Sequence, residues 1–189
     1  DSSRVVRALL NQNAFPRVDS VIDLETWSSI PAPRATYFGL IPLMNLVALH
    51  TQHGEALYEK NIRTFLGRST DVNIAIQKTL EQHAQNFVFF NNGVTVLCTA
   101  LKPTTNFAEI LRLELEGISV INGAQTIASA ATFAMDKPNH DISAAKVSLT
   151  IVHVHAGEDF GELITQARNH QNAVFSGDFV ALDAEQERL

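Results

Sequence analysis

The strongest constraint on the fold is a change of pattern at one point of the chain. Residues 111–120 are rich in Leu, Ile and Val, as a buried strand is, while residues 127–134 are alanine-rich, with Ile127, Ala130, Ala131 and Ala134 on one helical face. Between them lies Asn122-Gly123-Ala124-Gln125-Thr126. A strand that turns directly into a helix aims backbone N–H groups and the positive end of the helix dipole at one place, which favours an anion. Asn122, Gln125 and Thr126 add side-chain donors there, and Gly123 permits the turn and a close backbone approach. The same residues equally suit an ordinary connection, with Asn122 and Gly123 as turn formers and Thr126 as a helix cap.

The other segments imply an α+β fold, a mixed sheet flanked by helices. Short helices are expected over 4–12, 43–52 (opened by Pro42 and ended by Gly54) and 72–85, where Val72, Ile76 and Leu80 line up. Further helices are expected over 160–170, with Phe160, Leu163, Ile164 and Ala167 inward, and after Ser176. Strands are expected over 18–24, 35–40, 87–90, 94–97, 110–115, 118–121 and 147–155. Residues 102–106 read as a loop, Glu116-Gly117 as the turn of a hairpin, and Asn91-Asn92-Gly93 as a hairpin turn or a polar corner beside a pocket.

With 46% hydrophobic residues in 189, the chain can bury the core of a single domain spanning 1–189. No apolar run approaches a membrane span, no signal peptide is visible, and the lone Cys98 excludes an internal disulfide and fits the reducing cytoplasm. A net charge of −6 argues against a broadly basic nucleic-acid surface, though not against a local basic patch. The first residue is Asp1 and the last, Leu189, falls in a helical pattern, so we expect a piece of a longer protein whose other domains are partners.

No P-loop, GxGxxG, HExxH, GxSxG or paired CxxC occurs. His153 and His155, two apart on one strand, could ligate a metal, but with no third ligand they read as a half-exposed strand face. No metal or cofactor is assigned. What stands out is a set of amide clusters at element boundaries: Asn91-Asn92, Asn122 with Gln125, and Asn169, Gln171 and Asn172 beside Arg168. Amides donate and accept without charge, so they suit reading a base edge, a sugar or a peptide and make poor general acids. Asn61 with Arg63 could hold a carboxylate or phosphate, or Arg63 could serve a surface ion pair.

Six of these pieces occur in a fixed order: Leu57-Tyr58-Glu59-Lys60-Asn61-Ile62-Arg63-Thr64-Phe65-Leu66-Gly67, Val72-Asn73, Phe90-Asn91-Asn92-Gly93-Val94-Thr95, Ile121-Asn122-Gly123-Ala124-Gln125-Thr126, Arg168-Asn169-His170-Gln171-Asn172, and Asp178-Phe179 with Asp183 and Gln186. In that order the series resembles the AIPR family, the abortive-infection phage-resistance proteins of bacteria, over roughly residues 40–189. Residues 1–40 carry no matching motif. The resemblance implies a cytoplasmic role in phage defence and marks Asn61, Arg63, Asn91, Asn92, Gly93, Asn122, Gly123, Gln125, Thr126, Arg168, Asn169, Gln171 and Asn172 as ligand-site residues, with no catalytic role assigned.

A weaker likeness is to ParB/sulfiredoxin-like domains, in which a Gly-containing polar motif at a helix start holds nucleotide phosphates. Here that motif lacks arginine, which argues against tight triphosphate binding. The leading expectation is a nucleic-acid or nucleotide recognition module. The alternatives are a nuclease or nucleotide hydrolase, for which Asp178 and Asp183 are the candidate carboxylates, and a scaffold that senses a phage protein.

Overall fold

The computed structural model describes residues 16–58, 70–107, 109–155, 158, 160, 163 and 164. Seven strands form one sheet: β1 (Ser20–Ile30), β2 (Thr36–Pro42), β3 (Val94–Cys98), β4 (Ala100–Phe107), β5 (Ile110–Glu116), β6 (Ser119–Asn122) and β7 (Lys146–His153). Their spatial order is β4-β5-β1-β2-β7-β3-β6. β3 and β7 run parallel and the other pairs antiparallel, so the sheet is mixed and the α+β class holds.

The sheet is built on a long two-stranded ribbon. β3 and β4 are separated only by Thr99, and β5 and β6 only by Gly117 and Ile118. The halves of the ribbon pair as β4 with β5 and β3 with β6, and the Thr99 N–H donates to the Glu116 carbonyl between them. The ribbon bends at that corner, so its two halves sit at opposite ends of the strand order. Gly117 has φ +61°, and a Cβ there would lie 2.3 Å from the Thr99 hydroxyl, so the corner requires glycine. The expected hairpin through Glu116-Gly117 is therefore corrected. β5 and β6 do not pair with each other; the reversal lies between β4 and β5.

Two more expectations change. Residues 102–106 are strand, not loop: β4 is an edge strand, and a register shift between Pro103 and Thr105 accommodates a proline that has no N–H to give the ladder. Residues 87–90 are a helical turn, not a strand. Only Phe87 is buried, and both the N–H and the side-chain amide of Asn91 donate to its carbonyl, at 3.1 and 3.2 Å, closing the turn. Asn91-Asn92-Gly93 is thus a helix-to-strand corner rather than a hairpin turn.

The helices are α1 (Leu43–His53), α2 (Thr70–His83), α3 (Phe87–Phe90) and α4 (Ala124–Asp136), with 3-10 turns at Gly54–Tyr58 and Ala84–Asn86. α1 ends where expected: Gly54, at φ 55°, donates its N–H to the His50 carbonyl. α1 and α2 both pack on α4. Leu46, Val47, Ile76, Leu80, Ile127, Ala130 and Phe133 from these helices meet Ile22, Leu24, Leu111, Leu113, Val96, Val147 and Leu149 from the sheet in one core. Alternate burial along β5 shows that its other face meets solvent. Val72, expected inward, is exposed, since α2 buries only the Ile76 and Leu80 side of its apolar pattern.

A second cluster lies across β3. Leu97 alternates with the core residues Val96 and Cys98, and with Ile121, Val152 and Val154 it packs against Phe160 and Ile164. Leu163, also expected inward, is exposed because the Phe160–Ile164 spacing carries the contact. The helices expected over 4–12 and after Ser176, and most of that expected over 160–170, lie outside the described residues.

Candidate functional site

The strand–turn–helix forms as its sequence requires. β6 ends at Asn122, Gly123 adopts a left-handed conformation (φ 90°, ψ 9°), and α4 begins at Ala124. The Ile127 N–H donates to the Gly123 carbonyl at 3.1 Å, and no side chain caps the helix. A Cβ at Gly123 would stand 2.8 Å from Val94 Cγ2 and 3.3 Å from the Gly93 carbonyl oxygen. Both the backbone conformation and the close approach therefore demand glycine. Thr126 is not the cap, for it lies within the first turn of α4 and is buried.

Tertiary structure brings other motifs to this turn. Thr95 of β3 pairs with Asn122 of β6, which sets Asn91-Asn92-Gly93 beside Asn122-Gly123. Gly93 is itself wedged against β7, where an added Cβ would meet the Ser148 carbonyl oxygen at 2.9 Å. From α2, Asn73 Oδ1 accepts hydrogen bonds from Gln125 Nε2 at 3.0 Å and from Ser129 Oγ at 2.7 Å. The 3-10 turn Gly54–Tyr58 packs on β6 and buries Leu57. Three separate stretches, around Asn73, Gly93 and Gly123, thus meet at the start of α4, and the turn ending at Tyr58 packs on the strand that leads into it.

The individual side chains divide by role. Asn91 is committed to closing the α3 turn, as an ordinary turn residue would be. Gln125 spends its amide N–H on Asn73, so it ties α4 to α2. Asn92 is exposed, and Asn122 is half-buried. Asn61, Arg63, Arg168, Asn169, Gln171 and Asn172, like Asp178 and Asp183, lie outside the described residues. Asn73 and Ser129 were not among the expected site residues. Their signal was a polar residue on the half-buried side of an amphipathic helix and a serine one turn after Gln125.

Beside the site, His50 Nδ1 and the Tyr58 hydroxyl share a 2.8 Å hydrogen bond. Burial pushes the His50 imidazole below its ordinary value and the Tyr58 phenol above its own. Elsewhere, the His153 and His155 rings meet edge-on at 5.3 Å, and His153 Nε2 lies 3.1 Å from the Thr99 carbonyl oxygen. Among the described residues, no three His, Cys, Asp or Glu side chains stand close enough to hold a metal ion.

A family comparison fits this clustering of motifs: the model of the AIPR protein family matches residues 58–189. The chain belongs to the AIPR family. It is accordingly a phage-defence, abortive-infection domain. The family match begins at Tyr58, later than the expected position near residue 40. β1, β2 and α1 precede the matched stretch, yet β1 and β2 lie between β5 and β7 in the sheet, so the AIPR region shares its core with residues outside it. No curated protein and no solved structure matched the chain, and the likeness to ParB/sulfiredoxin-like domains gains no support. Among the described residues no helix is long and apolar enough to cross a membrane.

Proposed function

We propose that this AIPR domain serves phage defence, in the cytoplasm, by binding a nucleotide or nucleic acid at the start of α4. The observation that carries this reading is the meeting of motifs. Gly93 and Gly123 are pressed together, and Asn73 ties α2 to Gln125 in the first turn of α4. At the start of α4 the free main-chain N–H groups and the helix dipole, which contributes about half a positive charge, favour a ligand's phosphate. Exposed Asn92 and half-buried Asn122 offer neutral donors and acceptors for a base or sugar. Arg63 and Arg168, carried by other motifs of the family resemblance, would add charge.

Thermal-shift measurement against nucleotides and short oligonucleotides tests the reading. A ligand at a hundred times its dissociation constant stabilises the fold by about 2.7 kcal/mol. For a chain of this length that is roughly 5–11 °C. Gln125→Ala and Arg63→Ala should each remove the shift. The absence of any shift with the wild-type chain would refute the reading and transfer the family role to recognition of a phage protein or another domain.

A further inference from the structure

The chain that leaves β7 is tied down by a residue far away in sequence. Arg34, in the short connection between β1 and β2, donates from its guanidinium to the Glu158 carboxylate and lies over the Phe160 ring, 3.9 Å from its centroid. The two charged side chains are only 26% and 32% exposed, and partial removal from water strengthens both contacts. The hydrogen bond from Arg34 holds the Glu158 carboxyl below its ordinary value, so the pair is charged at neutral pH. Glu158 also accepts from the His155 N–H at 3.3 Å, and its own N–H donates to the His155 carbonyl at 3.2 Å, which closes a turn. Next to Arg34, the Ala35 carbonyl accepts from the His153 N–H at 3.0 Å, so the connection and the end of β7 are fixed to each other.

What these contacts hold down is a thin cover. Phe160 and Ile164 pack on Leu97, Ile121, Val152 and Val154, a small cluster separate from the main core. These four side chains are at most 8% exposed, yet among the described residues only Phe160 and Ile164 are partly buried against them, and Leu163 between the two is exposed. A segment with so few buried apolar contacts opens at a lower free energy than the core does. Arg34 lies before the stretch matched by the family model, whereas Glu158 and Phe160 lie within it. Arg168 follows Ile164 by four residues, at most about 14 Å of chain, so whatever fixes Ile164 limits the reach of the 168–172 motif.

We infer that Arg34 is a catch: closed on Glu158 and Phe160, it holds the chain beyond β7 as a strap over Leu97, Ile121, Val152 and Val154 that opens separately from the rest of the sheet. Arg34 is thus a positioning residue for a family segment to which it does not itself belong, whatever the start of α4 binds. Release of the catch uncovers the four apolar side chains and frees the root of the 168–172 motif.

Hydrogen exchange of the full chain, followed by mass spectrometry, tests the catch. Exchange over residues 154–164 should quicken roughly 5- to 30-fold in Arg34→Ala, while exchange over 146–152 of β7 stays at the wild-type rate. Arg34→Lys keeps the charge but loses the planar group over Phe160, so it should restore only part of the protection. Glu158→Gln keeps an acceptor for the His155 N–H and removes the charge. It should quicken the same residues in the wild-type background and add nothing in Arg34→Ala, a non-additivity that a merely destabilised fold does not produce. Unchanged exchange over 154–164 in Arg34→Ala overturns the catch, as does full additivity of the two substitutions. Equal quickening over 146–152 overturns the separate opening of the strap, and unprotected exchange over 154–164 in the wild-type chain shows that no strap is closed.

Discussion

Gly123→Ala should be among the most damaging small substitutions in this protein, and its cost can be separated into two parts. The first is conformational: at φ 90° an alanine sits in left-handed backbone space, at a cost of about 1–2 kcal/mol. The second is steric: the new methyl would stand 2.8 Å from Val94 Cγ2 and 3.1 Å from Val94 Cα, which forces β3 and β6 apart at a further cost of about 1–3 kcal/mol. The sum, about 2–5 kcal/mol, corresponds to a fall in Tm of roughly 4–20 °C for a chain of this length. Two other glycines isolate the parts. Gly54, at φ 55° and ψ −131°, would carry a Cβ with nothing within 4 Å, so Gly54→Ala reports backbone strain alone, about 1–3 kcal/mol. Gly93 has no left-handed φ but would meet the Ser148 carbonyl oxygen at 2.9 Å, so Gly93→Ala reports crowding alone, about 1–3 kcal/mol. Urea and thermal unfolding followed by circular dichroism give the three values. A Gly123→Ala loss no larger than that of Gly54→Ala would show that the ends of β3 and β6 are not pressed together, and the proposed site would lose its geometry.

Three further outcomes are expected. Asn73→Ala removes the acceptor for Gln125 Nε2 and for the buried Ser129 hydroxyl and should cost about 1–3 kcal/mol, whereas Asn73→Asp keeps the accepting oxygen and loses less; equal unfolding midpoints for wild type and Asn73→Ala would contradict the tie between α2 and α4. Burial holds His50 below its ordinary 6.5, so below that pH the unfolded chain binds a proton that the native state refuses. Stability should therefore fall as pH drops from about 6.5 through the folded value, and urea titrations of His50→Gln should lack this phase. A second loss belongs near and below 3.8, where Asp23, held down by its hydrogen bond to Arg112, takes up a proton. Finally, a fragment of residues 58–189 lacks β1 and β2 from the middle of the sheet and should show no cooperative unfolding; a sharp transition would mean that β5 and β7 can do without them.

Local pattern by itself determined several elements. The 3.6-residue apolar spacing of 43–52 and 72–85 produced α1 and α2, the glycine after residue 53 stopped α1, and the run at 147–155 produced β7, which ends at His153. The strand–turn–helix around Gly123 was legible because a change of period and a glycine in a polar turn are local signals, and the ordered motifs sufficed to indicate the AIPR family. Pairing and company were decided only in three dimensions. Phe87-Val88-Phe89-Phe90 has strand composition, yet with one ring anchored and Asn91 closing the turn it is helical. Pro103 reads as a loop residue until an edge position excuses its missing N–H. β5 and β6 look like partners in sequence, but the bend at Thr99 and Gly117 places four strands between them. The site follows the same division. Gly123 and Gln125 were visible one residue at a time, but their neighbours Gly93 and Asn73 lie dozens of residues away in the chain. Only long-range strand pairing and a helix-to-helix hydrogen bond, whose partners no local period encodes, bring them together.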